Sequence, residues 1–195
     1  MKLSDVDILN AMHDGRIRID PGPAETAING ASVDLRLGPK FRLFSMHTGS
    51  HIDLGMSRAE IAAAIDRVMS DEITIGPDET FYLHPGELVL GATMERVELA
   101  PDICGTINGR SSLARLGLTV HTTAHFVDPG WSGELVLEFY NCGRLPLGLR
   151  PGMAVCAIAF EPLSSPAVRH YGARADAKYV GQSGATGSRI AAEGS

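Results

Sequence analysis

Short apolar runs separated by Gly and Pro are the feature that most limits what this chain can fold into. Within a run, apolar residues either alternate with polar ones or form a brief continuous stretch, which is typical of strands. The runs are residues 33–37, 41–44, 81–83, 87–93, 133–141 and 153–160. Pro-Gly pairs at 85–86, 129–130 and 151–152 separate several of them. This spacing predicts a mainly β protein, an antiparallel sandwich or barrel with a few short helices.

Capping signals indicate two helices. Ser4 with Asp7, and Ser57 with Glu60, each place a hydroxyl three residues before a carboxylate, which is the pattern of a helix N-terminus. After Ser57, apolar residues recur at i, i+4, i+7 and i+8 counted from Ile61, which predicts an amphipathic helix. We expect helices over about 5–14 and about 58–69.

Length and composition favour one domain followed by a tail. A chain of 195 residues with 44% hydrophobic residues can bury one core. From residue 172 the sequence becomes rich in Gly, Ala and Ser, with isolated cationic side chains such as Lys178. We expect a β-barrel domain with an N-terminal helix over 1–171 and a tail over 172–195. The tail is either a frayed terminus or a segment that orders over an anion.

Charge and cysteine content argue against several classes of protein. The formal net charge of -6 has the wrong sign for nonspecific binding to a nucleic acid backbone. The three cysteines, Cys104, Cys142 and Cys156, lack C-x-x-C spacing, which disfavours a disulfide framework or a zinc knuckle. Acidic residues interrupt the N-terminal segment, and no apolar run is long enough to span a bilayer. We expect a cytoplasmic protein without membrane or nucleic acid partners.

Residues 109–115, Gly-Arg-Ser-Ser-Leu-Ala-Arg, are predicted to open with a turn and continue into one or two helical turns. Free backbone N–H groups at such a start can bind an anion. Ser111 and Arg115 are four residues apart and would share one helix face, with Arg110 beside them. The alternative is an ordinary Ser-capped turn with solvated arginines.

The run from Leu135 to Tyr140 alternates and carries Glu138 as its only charge. On a strand, Glu138 would share a face with Val136. A carboxylate in apolar surroundings holds a proton more readily, which suits proton transfer. The alternative is a glutamate facing solvent on a half-exposed strand. Upstream, Asp128 begins an Asp-Pro-Gly turn and is either a turn acceptor or a ligand for a sugar hydroxyl.

Zinc signatures are absent from the sequence. Neither the H-x-E with P-C-x-x-C pattern of zinc deaminases nor the H-E-x-x-H pattern of zinc hydrolases occurs. His121 and His125 are four apart in a strand-like run, and we interpret them as packed or hydrogen-bonded side chains rather than metal ligands. A hydrolytic water would then be activated by a carboxylate.

Three long stretches of the sequence include the turn, strands and part of the tail described above. They are GRSSLARLGLTVHTTAHFVDPGWSGELVLEFYN at 109–141, LRPGMAVCAIAFEPL at 149–163 and AKYVGQSGATGSR at 177–189. Shorter segments that belong with them are INGASVDLRLG at 28–38, DRVMSDEI at 66–73 and FYLHPGELVL at 81–90. Together these segments resemble the dCTP deaminases of the trimeric dUTP pyrophosphatase superfamily. The resemblance implies a distorted jelly-roll barrel, three subunits around an axis, and active sites built at subunit interfaces.

The resemblance also implies catalytic roles for particular residues. Glu138 would act as general base and acid in place of a zinc ion. Ser111 and Arg115 would orient the water and the pyrimidine, and Ala124 would offer its backbone carbonyl to the attacking water.

A larger set of residues would contact the substrate if the resemblance holds. The set is Arg110, Ser111, Ser112, Leu113, Ala114, Arg115, Asp128, Val136, Tyr171, Lys178 and Gln182. Arg110 and Ser112 would contact the triphosphate, Asp128 would hold the deoxyribose, and the backbone around Val136 would read the base edge. The last three residues of the set would close over the nucleotide, so the resemblance favours the ordered tail.

His125 and Trp131 resemble the branch of the family that only deaminates. That branch converts dCTP to dUTP, a precursor of dUMP, with Mg²⁺ carried by the triphosphate, no zinc, and dTTP as a feedback inhibitor. The first alternative is the bifunctional branch, which releases dUMP and pyrophosphate. A dUTP diphosphatase and a noncatalytic nucleotide-binding barrel are the others, and turnover of dCTP would separate them from a deaminase.

Overall fold

Strand pairing is antiparallel throughout residues 1–45 and 51–192, the part of the chain that the computed structural model describes. The strands are β1 (Ile17–Asp20), β2 (Ile28–Asn29), β3 (Ser32–Leu43), β4 (Ile73–Thr74), β5 (Phe81–Leu83), β6 (Leu88–Leu99), β7 (Ile103–Gly109), β8 (Leu118–Thr119), β9 (Phe126–Val127), β10 (Ser132–Asn141), β11 (Leu147–Leu149) and β12 (Ala154–Pro162). The α-helices are α1 (Asp5–His13), α2 (Arg58–Val68) and α3 (Ser111–Ala114), and 3₁₀ turns cover Glu25–Ala27, Tyr171–Ala173 and Ile190–Ala192.

One long sheet dominates the fold and is curled into a half-barrel. Its strand order is β8-β10-β6-β3-β12-β7-β9, with β1 also on β6 and both β2 and β4 also on β3, while β5 and β11 form a separate pair. The register shifts between Leu37 and Phe41 of β3 and between Glu134 and Val136 of β10. Such irregularities increase local twist and bend a sheet. The predicted mainly β fold, a distorted jelly-roll barrel, is confirmed.

Both predicted helices are present and begin with the predicted capping boxes. The Ser4 hydroxyl accepts from the Asp7 N–H, and the Asp7 carboxylate accepts in return from the Ser4 backbone. Helix α2 has the same reciprocal pair between Ser57 and Glu60. Each pair satisfies N–H groups that a helix start leaves without partners, which is why these sequences start helices where they do.

The core alternates along the strands, as the period-two pattern predicts. Leu135, Leu137 and Phe139 of β10 are buried, whereas the residues between them are at least partly exposed. Phe139 packs where β6 has Gly91, since a Cβ at that glycine would approach the Phe139 ring to 2.7 Å. The glycine therefore makes room for the buried Phe139 ring.

The structure merges two predicted strands and extends a third. Segments 33–37 and 41–43 belong to the single strand β3, which passes through Gly38 and Pro39, while Phe44 forms an isolated bridge to Met69. A Cβ at Gly38 would lie 3.1 Å from the Ala92 carbonyl oxygen, so the backbone of β3 approaches β6 closely where a break was expected. Strand β6 continues to Leu99 because it pairs there with β1.

No helix within the described residues has the length and apolar character needed to cross a membrane.

Candidate active site

A cavity of about 490 Å³ lies beside β10, the end of α2 and the C-terminal tail. Most of the lining side chains are apolar. Among the described residues that line it, Glu138 is the only charged one. The cavity can therefore accept a largely apolar ring and present it with a single group able to take up or give back a proton.

Glu138 is held by its strand and by one backbone hydrogen bond. It lies opposite Leu90 of β6 in the antiparallel register and is half-buried at the cavity wall. The Thr122 backbone N–H donates to its Oε2 at 3.1 Å. Because one carboxylate oxygen is fixed from a neighbouring segment, the chain itself sets the orientation of the acidic group.

Two histidines lie in the loop between β8 and β9, and not in the strand-like run that the sequence suggested. The rings of His121 and His125 are 5.3 Å apart between centroids. Burial lowers the pKa of His121, the charge of His125 lowers it further, and Glu138 acts in the opposite direction. The His121 Nδ1 is buried without a hydrogen-bond partner among the described residues. Within that same part of the chain, no group of three or more His, Cys, Asp or Glu side chains is placed to hold a metal ion.

Four of the predicted site residues line the cavity together. Ala124 precedes β9, Val136 and Glu138 belong to β10, and Gln182 comes from the tail. The sequence separates the first and last of these by 58 positions, so only the fold brings them into one wall.

The segment of residues 110–115, predicted to bind an anion, is not part of the cavity wall. None of residues 110–115 lines the cavity. Of the one or two helical turns predicted, helix α3 forms a single one, closed by the Arg115 N–H donating to the Ser111 carbonyl at 3.1 Å. The Arg110 guanidinium lies 3.3 Å from the Asp34 carboxylate and donates to the Ala154 carbonyl. Arg110 is therefore oriented by the sheet, while Ser111, Ser112, Ala114 and Arg115 are exposed.

Asp128 and Tyr171 belong to a second group of residues. Asp128 lies on the turn between β9 and β10, and Tyr171 begins a 3₁₀ turn that contacts it. The Asp128 carbonyl accepts from the Trp131 N–H at 3.2 Å, which closes the predicted Asp-Pro-Gly turn. The Tyr171 N–H donates to the Pro129 carbonyl, and its ring lies 5.4 Å from the Trp131 ring. Tail residue Lys178 places its ammonium 5.8 Å from the centre of the Tyr179 ring. Asp128, Tyr171 and Lys178 do not line the cavity.

Sequence reasoning missed several lining residues. Tyr179 and the segment 186–188 of the tail contribute to the wall, and so do Ile65, Val68 and Met69 at the end of α2. The α2 residues belong to the apolar stripe that predicted this helix. The stripe begins with the buried Ile61, and its later residues line the cavity. Those later apolar residues were therefore the sequence signal that could have predicted this part of the wall.

The structure defines the class of this protein as an antiparallel β half-barrel with an apolar cavity beside its sheet. Among the described residues that line this cavity, Glu138 is the one acidic residue. A model of the dCTP deaminase-like family matches residues 2–163. The chain belongs to that family, as the resemblance predicted. The matched region contains all twelve strands and ends before the tail.

Solved structures of similar fold include a deaminase and two dUTPases. The 2'-deoxycytidine 5'-triphosphate deaminase from Agrobacterium tumefaciens matches with a TM-score of 0.61 and 21% identity, over 83% of this chain and 48% of that one. This chain thus spans about half the length of that protein. A mutant dUTPase of Staphylococcus bacteriophage 80alpha, solved with dUpNHpp, gives 0.47 and 13%, over 78% and 94%. The EIAV dUTPase gives 0.40 and 19%, over 50% and 79%. At these identities the likeness concerns the fold alone.

Proposed function

We propose that this protein hydrolyses dCTP to dUTP and ammonia. The observation that carries the proposal is the position of Glu138, the only charged residue among the described lining of an apolar cavity, with Oε2 fixed by the Thr122 N–H. Membership in the dCTP deaminase-like family supports dCTP as the substrate. The enzyme would be a hydrolase acting on the C–N bond of a cyclic amidine.

The reaction needs one group that moves protons in both directions. Glu138 removes a proton from water, and the hydroxide formed adds to C4 of cytosine. Glu138 gives this proton to the ring nitrogen and then transfers the proton of the added hydroxyl to the amine. The amine leaves as ammonia and C4 becomes a carbonyl, so dCTP and water give dUTP and ammonia. Ala124, which shares the cavity with Glu138, offers a carbonyl to the water, and Val136 reads the base edge through its backbone.

A homotrimer would supply the remaining groups. Residues 110–115 do not line the Glu138 cavity of their own chain, which supports a site completed by this segment from a neighbouring copy. In that arrangement Ser111 orients the water and Arg115 stabilises charge on the tetrahedral intermediate. Arg110 and Ser112 contact the triphosphate, and the backbone of Leu113 and Ala114 belongs to the same anion-binding turn.

The sugar and the outer phosphates would be held by Asp128 and by residues of the tail and the turn before it. Asp128 contacts the deoxyribose, while Tyr171, Lys178 and Gln182 close over the nucleotide. The tail of 172–195 is thus proposed as a nucleotide-closing segment appended to a barrel domain of 1–171.

Mg²⁺ would enter with the triphosphate rather than at a site of the protein. Within the described residues, His121, His125 and Glu138 are not placed as three ligands of one metal ion, so we propose no zinc site there. We expect elemental analysis of active protein to find no stoichiometric zinc. Activity that followed bound zinc and survived loss of Glu138 would contradict the carboxylate mechanism. Inhibition by dTTP and a cytoplasmic location stay predictions from the sequence.

A single assay tests the proposal. Purified protein is incubated with Mg²⁺ and dCTP, and ammonia, dUTP, dUMP and pyrophosphate are measured together. The expected result is ammonia and dUTP in equal amounts without pyrophosphate. Early dUMP in step with ammonia would assign the protein to the bifunctional alternative. Turnover of dUTP alone would assign a diphosphatase, and no turnover of either nucleotide would leave a binding protein.

A further inference from the structure

Glu134 binds the tail through both its side chain and its backbone. Its Oε1 accepts from the Ser183 hydroxyl at 2.9 Å, and its Oε2 accepts from the Gly184 N–H at 2.6 Å. Its carbonyl accepts from the Gln182 side-chain amide at 2.9 Å, and its N–H donates to the Gln182 carbonyl at 3.1 Å. One residue of β10 therefore holds three consecutive residues of the tail.

A second carboxylate holds the next tail residue. The Glu72 Oε2 accepts from the Ala185 N–H at 2.8 Å, and its Oε1 lies 3.2 Å from the Lys40 ammonium. Gly184 has a φ of +73°, and a Cβ there would collide with the Glu72 carboxylate. Only glycine can pass between Glu72 and Glu134 in this conformation. We call these two glutamates the tail clasp.

The tail clasp fixes Gln182 relative to Glu138. Gln182 is 8% exposed and lines the cavity together with Glu138. Glu134 and Glu138 belong to the same strand, four positions apart, with a register shift between Glu134 and Val136. Since both carboxylates are carried by one strand of the sheet, a tail bound at Glu134 has a defined position against the proposed acid.

We infer that Glu134 is a positioning residue that keeps Gln182 in the cavity wall and so sets the affinity for the nucleotide. For its kinetic consequence the inference rests on the proposed function. Glu134 does not line the cavity. Its loss therefore weakens substrate binding more than turnover.

The kinetic test uses graded variants of the full chain. Glu134→Ala removes both side-chain hydrogen bonds, and we expect KM for dCTP to rise roughly tenfold or more while kcat changes by less than about threefold. Glu134→Gln keeps one acceptor and should lie between this variant and the wild type. Glu79→Gln is the matched control, because the Glu79 Oε2 also accepts a glycine N–H, that of Gly76, at 2.6 Å. We expect wild-type KM for this control.

A second measurement does not depend on activity. Hydrogen–deuterium exchange of the amides in residues 181–186 should be faster in Glu134→Ala than in the wild type and in Glu79→Gln. Faster exchange in a chain that never deaminates dCTP would refute the proposed function and still support the clasp. Exchange at the wild-type rate would overturn the inference. Faster exchange with unchanged KM in an active enzyme would overturn it as well, since the clasp would then order the tail without affecting binding.

Discussion

Strand β10 and the C-terminal tail both line the cavity, but different interactions hold them. Strand β10 pairs with β6 over most of its length and buries alternate side chains in the core. In the tail, the described residues up to 192 form only short 3₁₀ turns and are held by hydrogen bonds to Glu134, Glu72 and Arg42. Glu138 therefore belongs to β10, which is the more strongly packed of the two regions.

This difference separates two requirements of a nucleotide-processing site. A proton-transferring group needs a fixed position, which a paired and buried strand provides. A segment that closes over a ligand has to open again, and such segments come from the less stable parts of a fold. Side-chain hydrogen bonds at the surface can be broken and remade without disturbing the core. Changes at Glu138 or on the buried face of β10 should therefore affect chemistry or global stability. Changes in the tail, or at Glu134, which holds the tail, should affect binding.

The largest effect is expected from Glu138→Gln, which tests the chemistry assigned to the strand. The amide is nearly isosteric with the carboxyl, so packing on β10 is preserved and only proton exchange is lost. General acid–base catalysis contributes about 10²–10⁴ in rate, and a group serving both halves of the reaction should lie near the top of that range. Steady-state kinetics should show this loss in kcat, with the affinity for dCTP much less changed.

Ser111→Ala is the comparison variant for Glu138→Gln. It disturbs the placement of water without deleting the base, so its effect on kcat should be milder. A Glu138→Gln protein that retained more than about a tenth of wild-type kcat would refute the assignment of Glu138 as general base.

Phe139→Ala should have the next largest effect, on stability rather than on rate. Phe139 is fully buried, and deletion of a buried phenylalanine side chain costs about 3–5 kcal/mol. Tyr179→Ala in the tail should cost less than about 1 kcal/mol, because Tyr179 is only half-buried and packs at the edge of the core. Urea unfolding at one protein concentration measures both values. Equal losses would show that the tail is part of the cooperative core.

The same contrast explains how much could be predicted from the sequence. The period-two pattern around Phe139 and the capping box at Ser57 are local signals, and both elements form as predicted. Membership in the family also followed from sequence motifs. The bulge after Glu134 and the path of the tail depend on contacts between distant residues, such as that of Glu72 with Ala185. No local pattern encodes those contacts, so the composition of the tail left its course open.

The grouping of the site residues was predictable only in part. Val136 and Glu138 share a strand face because of simple alternation, and both line the cavity. Residues 110–115 have the composition of an anion-binding turn, but the sequence does not encode their distance from Glu138. That these residues do not line the cavity of their own chain became visible only in the fold.

Removal of the tail before Ala177 should change binding by a smaller factor than Glu138→Gln changes turnover. The deletion takes away Tyr179 and Gln182 from the cavity wall and Lys178 from the proposed phosphate contacts. Loss of hydrogen bonds to charged groups suggests a rise in KM of roughly tenfold to a hundredfold, with a lower kcat because closing segments also exclude water. Thermal melting should confirm that the barrel remains folded. Unchanged kinetics would reduce the tail to a frayed end.

The smallest expected effect concerns His121, which lies beside the strand. Burial is the main cause that lowers the pKa of His121 in the folded chain. Between this lowered pKa and the ordinary value near about 6.5, the unfolded chain binds a proton that the folded chain does not. The contribution to stability is therefore present above about pH 6.5 and is lost as the pH falls below that value. His121→Gln should flatten the fall in the free energy of unfolding between about pH 7 and about pH 5.5. His84→Gln, at an exposed turn, is the control for removal of a histidine as such. The opposite outcome is a free energy of unfolding that depends on pH in the same way in His121→Gln and His84→Gln. That result would show that burial does not favour the neutral form of His121 in the folded chain.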